Sequence, residues 1–220
     1  MRLGAAEIRF TSSADGDFAP PARSDDAALA ARRTRLVALP WTWLRQEHGK
    51  RVVVVDGPGV GCGSAADAAV AVVPHAPIAV VTADCAPVVL ADDDGEAVAV
   101  VHAGWRGLVD NVIAEAVDVM RANGAGRITA ALGPCIHTEC YEFAGPELDT
   151  VVAALGESVR GITRDGRPAL DVPAAVRVAL KRLDVDLAVD VDACTACTPG
   201  YWSHRARGDV QRQATVAWLA

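Results

Sequence analysis

The sequence predicts a layered α/β domain of the α+β kind, in which helices flank mixed β-sheets. Short β-branched segments crowd the middle of the chain, and longer segments with helical apolar stripes lie before and after them. The two kinds of segment do not alternate in the strict order of a doubly wound parallel sheet. Because 51% of the 220 residues are apolar and no linker divides them, we expect one domain over residues 1–220.

The predicted strands are short apolar or β-branched runs bounded by Gly, Pro or Asp. The plainest case is residues 51–55, where one arginine precedes an unbroken run of valines. The full set of predicted strands is residues 7–11, 51–55, 77–82, 87–91, 97–101, 128–132, 187–191 and 215–219.

The predicted helices are segments whose apolar residues recur at the helical period. Residues 108–122 carry the clearest stripe, which ends at Asn123-Gly124, a common helix stop. The other predicted helices are residues 25–39, which Pro40 ends, residues 147–155 and residues 172–183.

Composition and charge exclude several functional classes. A net charge of -7 repels polyanions, so we expect a small-molecule substrate rather than nucleic acid or a membrane surface. The early charged residues leave no apolar core for a secretory signal, and the longest apolar stretches, residues 68–73 and 76–83, are shorter than the ~20 residues of a membrane span. We therefore expect a cytoplasmic protein, whose six cysteines are thiols or metal ligands. The oligomeric state stays open, with a monomer as the simplest expectation.

Three candidate metal ligands stand in loops or at strand ends, where sites are commonly built. His102 follows the strand at 97–101, Cys85 lies between two predicted strands, and His48 precedes the valine run. One thiolate and two imidazoles suit a borderline-soft ion such as zinc, and three ligands leave a fourth position open for catalysis. Their separations match no local zinc-finger spacing, so packed histidines and a buried thiol are the alternative interpretation.

Motifs around these residues carry a family resemblance. The most specific are Thr-Ala-Asp-Cys at 82–85 and His-Ala-Gly-Trp-Arg-Gly at 102–107. The others are Gln46-Glu47-His48-Gly49, Gly133-Pro134-Cys135-Ile136 followed by Cys140-Tyr141-Glu142, and a closing segment with Cys194-Thr195 and Ser203-His204-Arg205. In this order they resemble the YfiH family, also called the laccase-domain or multicopper polyphenol oxidase family, from about Leu39 to the C-terminus.

The resemblance implies that His48, Cys85 and His102 hold the metal and form the catalytic centre. It implies a zinc-dependent purine nucleoside phosphorylase, acting on adenosine, inosine and methylthioadenosine, with adenosine deaminase activity at the same site. Zinc with one thiolate and two neutral imidazoles keeps a charge near +1, so it can polarise phosphate and lower the pKa of bound water toward ~7.

Substrate contacts are expected beside the ligands. The N-terminus of the helix predicted from Leu108 is close in sequence to His102, and its free N–H groups are candidates to face an anion. Arg106 either binds phosphate or pairs with a carboxylate of the fold. Trp105 and Tyr141 are candidates to stack on a purine, although both also suit core positions.

The N-terminus departs from the family pattern. An arginine expected near Ser13 is absent and the loop there is shorter, which puts phosphate affinity or the substrate range in question. Arg205 and Arg207 are candidate replacements.

Three other polar residues have candidate structural roles. Asp67 and Asp84 flank apolar strands and are candidates to orient an imidazole, and Asp84 is favoured because it adjoins Cys85. His75 is interpreted as a structural histidine.

The remaining cysteines allow two interpretations. Cys135, His137 and Cys140 either hold a second ion or line the pocket. Cys194 and Cys197 have CxxC spacing, but no second CxxC pair accompanies them, so a structural role is favoured.

Three rival functions stay open. Copper is the alternative metal, since two His and one Cys also form a blue-copper set, but five histidines are too few to add the trinuclear centre of a multicopper polyphenol oxidase. A metal-free Cys85–His102 hydrolase that edits peptidoglycan precursors is the second rival. A zinc-stabilised binding domain is the third, and it predicts a fourth ligand such as Cys135 or Cys140.

Overall fold

The structure, a computed structural model, describes residues 1–20 and 26–220. The strands of these residues are β1 (Arg2–Leu3), β2 (Ala6–Phe10), β3 (Thr42–Trp43), β4 (Val52–Val55), β5 (Ala68–Ala71), β6 (Ile78–Thr82), β7 (Ala86–Asp92), β8 (Val98–Ala103), β9 (Ile128–Leu132), β10 (Arg160–Ile162), β11 (Pro168–Leu170), β12 (Asp186–Asp190) and β13 (Gln213–Leu219). The helices are α1 (Ala27–Leu36), α2 (Trp105–Val109), α3 (Val112–Ala122), α4 (Pro146–Leu155), α5 (Val172–Arg182) and α6 (His204–Arg207).

Two mixed sheets form the centre of the molecule. One has five strands in the order β1-β2-β13-β6-β3, and only β3 and β6 in it run parallel. The other has six strands in the order β12-β9-β7-β8-β5-β4, with parallel pairs at both edges and antiparallel pairs between them. The predicted α/β class with mixed sheets flanked by helices is confirmed.

The two sheets pack face to face and helices cover their outer faces. On β7, Val89 and Ala91 point into the core between the sheets, whereas Val88 and Leu90 point to the opposite side. That side is covered by α2, α3, α4 and α5, and α1 covers the outer face of the five-stranded sheet. Because β7 and β8 are buried on both faces, they are almost continuously apolar, as the sequence showed.

The prediction of one helix over residues 108–122 is wrong. The chain forms α2 and α3 as separate helices, and α2 begins at Trp105, directly after β8. They are separated at Asn111, whose left-handed backbone (φ 64°) is a conformation that asparagine tolerates. The apolar stripe crosses the break because both helices pack on the same sheet, so periodicity alone did not reveal it.

The other element predictions agree with the structure to within a few residues, apart from the short strands that were missed. The predicted start of the first helix, residue 25, lies outside the described residues; the helix begins at Ala27, with the Asp26 carboxylate accepting from the Leu29 N–H at 2.9 Å. The missed strand β5 is alanine-rich and lacks a β-branched signature. No helix in residues 1–20 and 26–220 has the length and apolar character needed to cross a bilayer.

Candidate metal centre and active site

The three predicted ligands come together at one end of the sheets. One ligand atom each of His48, Cys85 and His102 lies within 4.8 Å of the others. Cys85 Sγ is 4.0 Å from His48 Nε2, and the two imidazole rings are 4.8 Å apart at 75°. His102 is buried, Cys85 is half-buried and His48 is exposed, so the cluster opens to solvent on the His48 side.

Strand register explains how Cys85 and His102 meet. β7 and β8 are antiparallel, with Ala86 paired to Ala103 and Pro87 to His102, so Cys85 stands next to the end of β8. Cys85 is also the last residue of the short crossing from β6 in one sheet to β7 in the other. Asp84 makes this crossing possible with φ 98°, a left-handed conformation that costs a non-glycine residue roughly 1–3 kcal/mol.

Asp67 orders both histidines. Its carboxylate accepts a hydrogen bond from His102 Nδ1 at 2.8 Å and from the backbone N–H groups of Glu47, His48 and Gly49 at 3.2, 2.9 and 2.7 Å. Burial acts to raise the pKa of Asp67, but these hydrogen bonds outweigh it and lower that pKa, so the carboxylate is charged. Because Nδ1 donates to this carboxylate, Nε2 is the ring nitrogen left for a metal, which would bind it with loss of the proton that it carries in the imidazolium.

Gly104 leaves space beside the three donors. A Cβ on this residue would lie 2.9 Å from His48 Cδ2, 3.3 Å from Cys85 Sγ and 3.8 Å from His102 Cε1. A side chain here would therefore touch all three donor residues. The free space, together with one sulfur and two nitrogen donors, fits a zinc ion with an open coordination position.

The electrostatics favour a charged cysteine. Burial acts to raise the pKa of Cys85, but His102 and His48 outweigh it and lower the pKa to about 6. Burial acts to lower the pKa of His102, but Cys85 and Asp67 outweigh it and raise the pKa to about 9. At neutral pH, Cys85 is thus the thiolate that both a metal and nucleophilic chemistry require.

The cluster lies in the wall of a cavity of about 560 Å³. This size is within the range of small-molecule sites. The lining residues come from the N-terminal segment, from the loops that carry the ligands, and from the segment before β13; they are Ala19, Pro20, Leu44, Arg45, Gln46, His48, Val81, Thr82, Ala83, Asp84, Cys85, His102, Tyr141, His204, Arg205, Val210 and Arg212.

The cavity wall carries arginines that the sequence left undecided. Arg205 stacks on the Tyr141 ring at 4.8 Å and donates to the Glu142 carbonyl at 2.9 Å, and Arg212 donates only to backbone carbonyls. Among the described residues neither forms an ion pair with a carboxylate. Arg207, by contrast, pairs with Asp209 and donates to three backbone carbonyls away from the cavity. Of the two candidate replacements for the missing N-terminal arginine, Arg205 lines the cavity and Arg207 does not.

The predicted substrate contacts are divided between two places. Tyr141 lines the cavity, and burial together with the charge of Cys85 raises its pKa to about 12, so its hydroxyl stays a hydrogen-bond donor. Trp105 lies behind the cluster in a small pocket of about 30 Å³ and contacts Phe143 edge to face. Arg106 is exposed and stacks on Trp105 at 4.3 Å; it has no carboxylate partner in the described part of the chain. The helix after His102 begins at Trp105 rather than at Leu108, so the free N–H groups predicted to face an anion are those at the start of α2.

Two predicted supporting roles are corrected. Asp84 orients no imidazole: its carboxylate accepts from Thr195 Oγ1 and from the Arg205 N–H, both at 2.7 Å, and so ties the C-terminal loops to the Cys85 crossing. Neither Cys135 nor Cys140 joins the three predicted ligands, and within residues 1–20 and 26–220 no fourth ligand completes the closed site that a binding domain would need.

Sequence reasoning gave no role to Gln46 or Gly104. Gln46 exchanges two hydrogen bonds of 2.8 Å with the backbone of Val81 and so attaches the His48 loop to the end of β6. Both residues belong to the quoted motifs, and their place beside a ligand was the only available signal.

Replacing Asp67 with asparagine should weaken metal binding by about 10- to 100-fold, the usual effect of removing a partner that orients a ligand. An amide has one acceptor oxygen and cannot satisfy four donors. Titration with a zinc-competing dye measures the affinity. Asp92→Asn is the matched control, because Asp92 is buried and accepts only from the N–H groups of Glu96 and Gly126. Equal affinities of the two variants would contradict the assigned role.

This chain is similar to known proteins over nearly its whole length. Residues 16–220 match the family model described as multi-copper polyphenol oxidoreductase laccase. A purine nucleoside phosphorylase of Mycobacterium tuberculosis is 38% identical over 95% of this chain and 90% of its own length. A solved structure from Neisseria meningitidis, of the family DUF152, is 27% identical with a TM-score of 0.82, covering 99% of this chain and 95% of that one. The Bacillus licheniformis YfiH protein has the same fold, with a TM-score of 0.82, 22% identity and coverage of 98% and 93%.

Proposed function

This chain belongs to the multi-copper polyphenol oxidoreductase laccase family, as its motifs predicted, and from that premise we propose that it is a zinc-dependent purine nucleoside phosphorylase. The proposal rests on one observation above all: one sulfur and two nitrogen donors converge at the wall of a cavity of about 560 Å³, with a side left open for a reactant. Purine nucleoside phosphorylase is the name of relatives at 35–38% identity. All six cysteines are free thiols, which suits the cytoplasm, where we place the enzyme.

In phosphorolysis, a phosphate oxygen bonds to C1′ of the ribose while the bond from C1′ to the purine nitrogen breaks. The base leaves with that electron pair and takes up a proton, and the products are the free purine and ribose 1-phosphate. Zinc at His48, Cys85 and His102 would supply a Lewis acid that polarises a phosphate oxygen or a water molecule. Asp67 keeps the His102 ring and the His48 loop fixed throughout.

The remaining side chains bind and orient the substrates. Arg205 and Arg212 place positive charge on the cavity wall, where a phosphate dianion would be attracted despite the negative charge of the whole protein. Tyr141 offers an aromatic face and a hydroxyl donor at the same wall. The lining is drawn from both ends and the middle of the chain, so we propose that residues 1–220 act as one catalytic domain.

Adenosine deaminase activity extends the proposal. Water then replaces phosphate, its oxygen bonds to C6 of the purine, and ammonia leaves to give inosine. The cavity and the donors are the same, so both activities should depend on the same three ligands.

The test incubates the zinc-loaded protein with inosine or adenosine, with and without phosphate, and separates the products by chromatography. We expect free purine and ribose 1-phosphate only when phosphate is present, and inosine from adenosine without phosphate. Absence of both products would overturn the proposal. The same assay on protein loaded with zinc, copper or another divalent metal then identifies the metal that supports activity.

Copper oxidation is the less favoured alternative. Of the five histidines, His48, His102 and His204 line the cavity, and a trinuclear copper centre with a separate blue-copper site needs many more imidazoles. If copper-loaded protein oxidised a polyphenol faster than free copper does, the copper oxidase would become the favoured function.

A metal-free cysteine hydrolase is favoured by the position of Cys85 beside two imidazoles, which lower the pKa of its thiol to about 6. Its substrate class would be amides of peptidoglycan precursors. A chelator distinguishes the zinc phosphorylase from the metal-free hydrolase. The zinc enzyme would lose activity with the chelator and regain it with added zinc, whereas the hydrolase would keep full activity.

Arg205→Gln should raise the KM for phosphate roughly 10- to 100-fold and leave the KM for inosine nearly unchanged. A hydrogen bond to a charged group contributes about 1.5–3 kcal/mol, which gives this range. Initial rates at varied phosphate measure it. The control is Arg121→Gln, because Arg121 is exposed on α3 and lies outside the cavity. An unchanged phosphate KM in Arg205→Gln would remove the arginine from phosphate binding.

A further inference from the structure

A second group of metal-ligand side chains lies outside the cavity. Glu139 and Cys140 come from the segment after β9, and Cys194 and Cys197 come from the loop after β12. One ligand atom from each lies within 4.8 Å of all the others. The CxxC pair that lacked a sequence partner therefore finds one in Cys140, and the predicted grouping of Cys140 with Cys135 and His137 does not form.

The fold brings these two loops together before any metal binds. β9 and β12 are parallel neighbours, so the loops after them leave the same edge of the sheet. Backbone hydrogen bonds then join the loops: the Cys135 N–H donates to the Ala193 carbonyl at 3.3 Å, and the Thr195 N–H donates to the Cys135 carbonyl at 3.0 Å. The four donors are thus held close by the main chain.

Hydrogen-bond donors surround the sulfurs, as they do around metal-bound thiolates. The backbone N–H of His137 donates to Cys194 Sγ at 3.4 Å, and Arg164 Nη2 donates to Cys197 Sγ at 3.6 Å. His137 Nδ1 lies 3.9 Å from Glu139 Oε1. The Arg164 guanidinium would offset part of the negative charge that three thiolates and a carboxylate would carry.

We propose that Glu139, Cys140, Cys194 and Cys197 form a structural zinc site. Three thiolates and one carboxylate complete a tetrahedral set, whereas the cavity site has three donors and stays open. Each thiol gives up its proton to solvent when its sulfur binds zinc. The site would fix Tyr141, which follows Cys140, and Thr195, which holds Asp84 beside Cys85.

Metal counting tests the proposal. Wild-type protein purified with zinc and reductant should hold two zinc ions per chain by mass spectrometry, and the double variant Cys140→Ser/Cys197→Ser should hold one. The Cys62→Ser control should still hold two, because Cys62 is an exposed thiol outside both groups. One zinc ion in both the wild type and the double variant would overturn the proposal.

Cobalt substitution keeps the proposal testable if the double variant fails to fold. Cys85→Ala removes the only sulfur of the cavity site and leaves the second group intact. Its cobalt form should keep strong thiolate-to-cobalt charge-transfer absorption and the visible bands of tetrahedral cobalt. Loss of that absorption, or a disulfide among Cys140, Cys194 and Cys197 in protein purified with reductant, would contradict the zinc site.

Discussion

Cys85→Ala is expected to lower kcat/KM for phosphorolysis by roughly 1,000-fold or more and to remove the cavity metal. The variant loses the only thiolate among the three donors, leaving two imidazoles that hold zinc weakly. A bound metal supplies several kcal/mol of transition-state stabilisation, which is the basis of this magnitude. Phosphate-dependent release of hypoxanthine from inosine measures the rate, and metal analysis of the same sample measures the zinc.

The control for this change is Cys62→Ala, which removes an exposed thiol from the loop between β4 and β5. It should keep wild-type activity and metal content. If Cys85→Ala turns over as fast as Cys62→Ala, the proposed catalytic centre is wrong.

The three predicted ligands illustrate what the sequence alone can identify. His48, Cys85 and His102 were identified because each stands in a specific motif at the end of a strand or in a loop. Their convergence depends on the β7–β8 register and on the crossing between the sheets at Asp84, and neither is visible in a single sequence. The motif therefore named the residues, and only the fold could show that their donor atoms lie within 4.8 Å.

The supporting residues were harder to predict. Asp84 was favoured over Asp67 because it adjoins a ligand in sequence, yet Asp67 makes the contact with His102. Asp84 lies in the crossing between β6 and β7, where its carboxylate accepts from Thr195 and Arg205 instead, so adjacency in sequence is poor evidence that two side chains serve one site. Asp67 directly precedes β5, and it reaches His102 because β5 pairs with β8, a strand that is distant in sequence.

The cysteine group shows the same limit on a larger scale. Cys140 and Cys194 belong to loops that follow β9 and β12, and the parallel pairing of these two strands brings the loops to the same end of the sheet. Parallel pairing is set by tertiary packing and leaves no local spacing rule in the sequence. The CxxC pair consequently looked isolated, although its partners lie within 4.8 Å.

Gly104→Ala is expected to abolish metal binding at the cavity site and to lower activity about as much as Cys85→Ala does. The backbone at Gly104 (φ -73°, ψ 163°) accepts alanine, so no strain of the main chain is involved. The added methyl would lie 2.9 Å from His48 Cδ2, closer than real Cβ contacts allow, and His48 as the exposed ligand is the group that must move away. Zinc titration and the inosine assay measure both effects.

Gly126→Ala separates this local effect from the general effect of adding a methyl group. Gly126 also lacks a left-handed φ, and a Cβ there meets no atom closer than 3.9 Å. The control should therefore bind zinc normally. Gly104→Ala keeps His48, Cys85 and His102, and its unfolding temperature should stay near that of Gly126→Ala. If it then fails to bind zinc, the free space beside the donors is itself required. Normal zinc binding by Gly104→Ala would mean that the metal is held elsewhere.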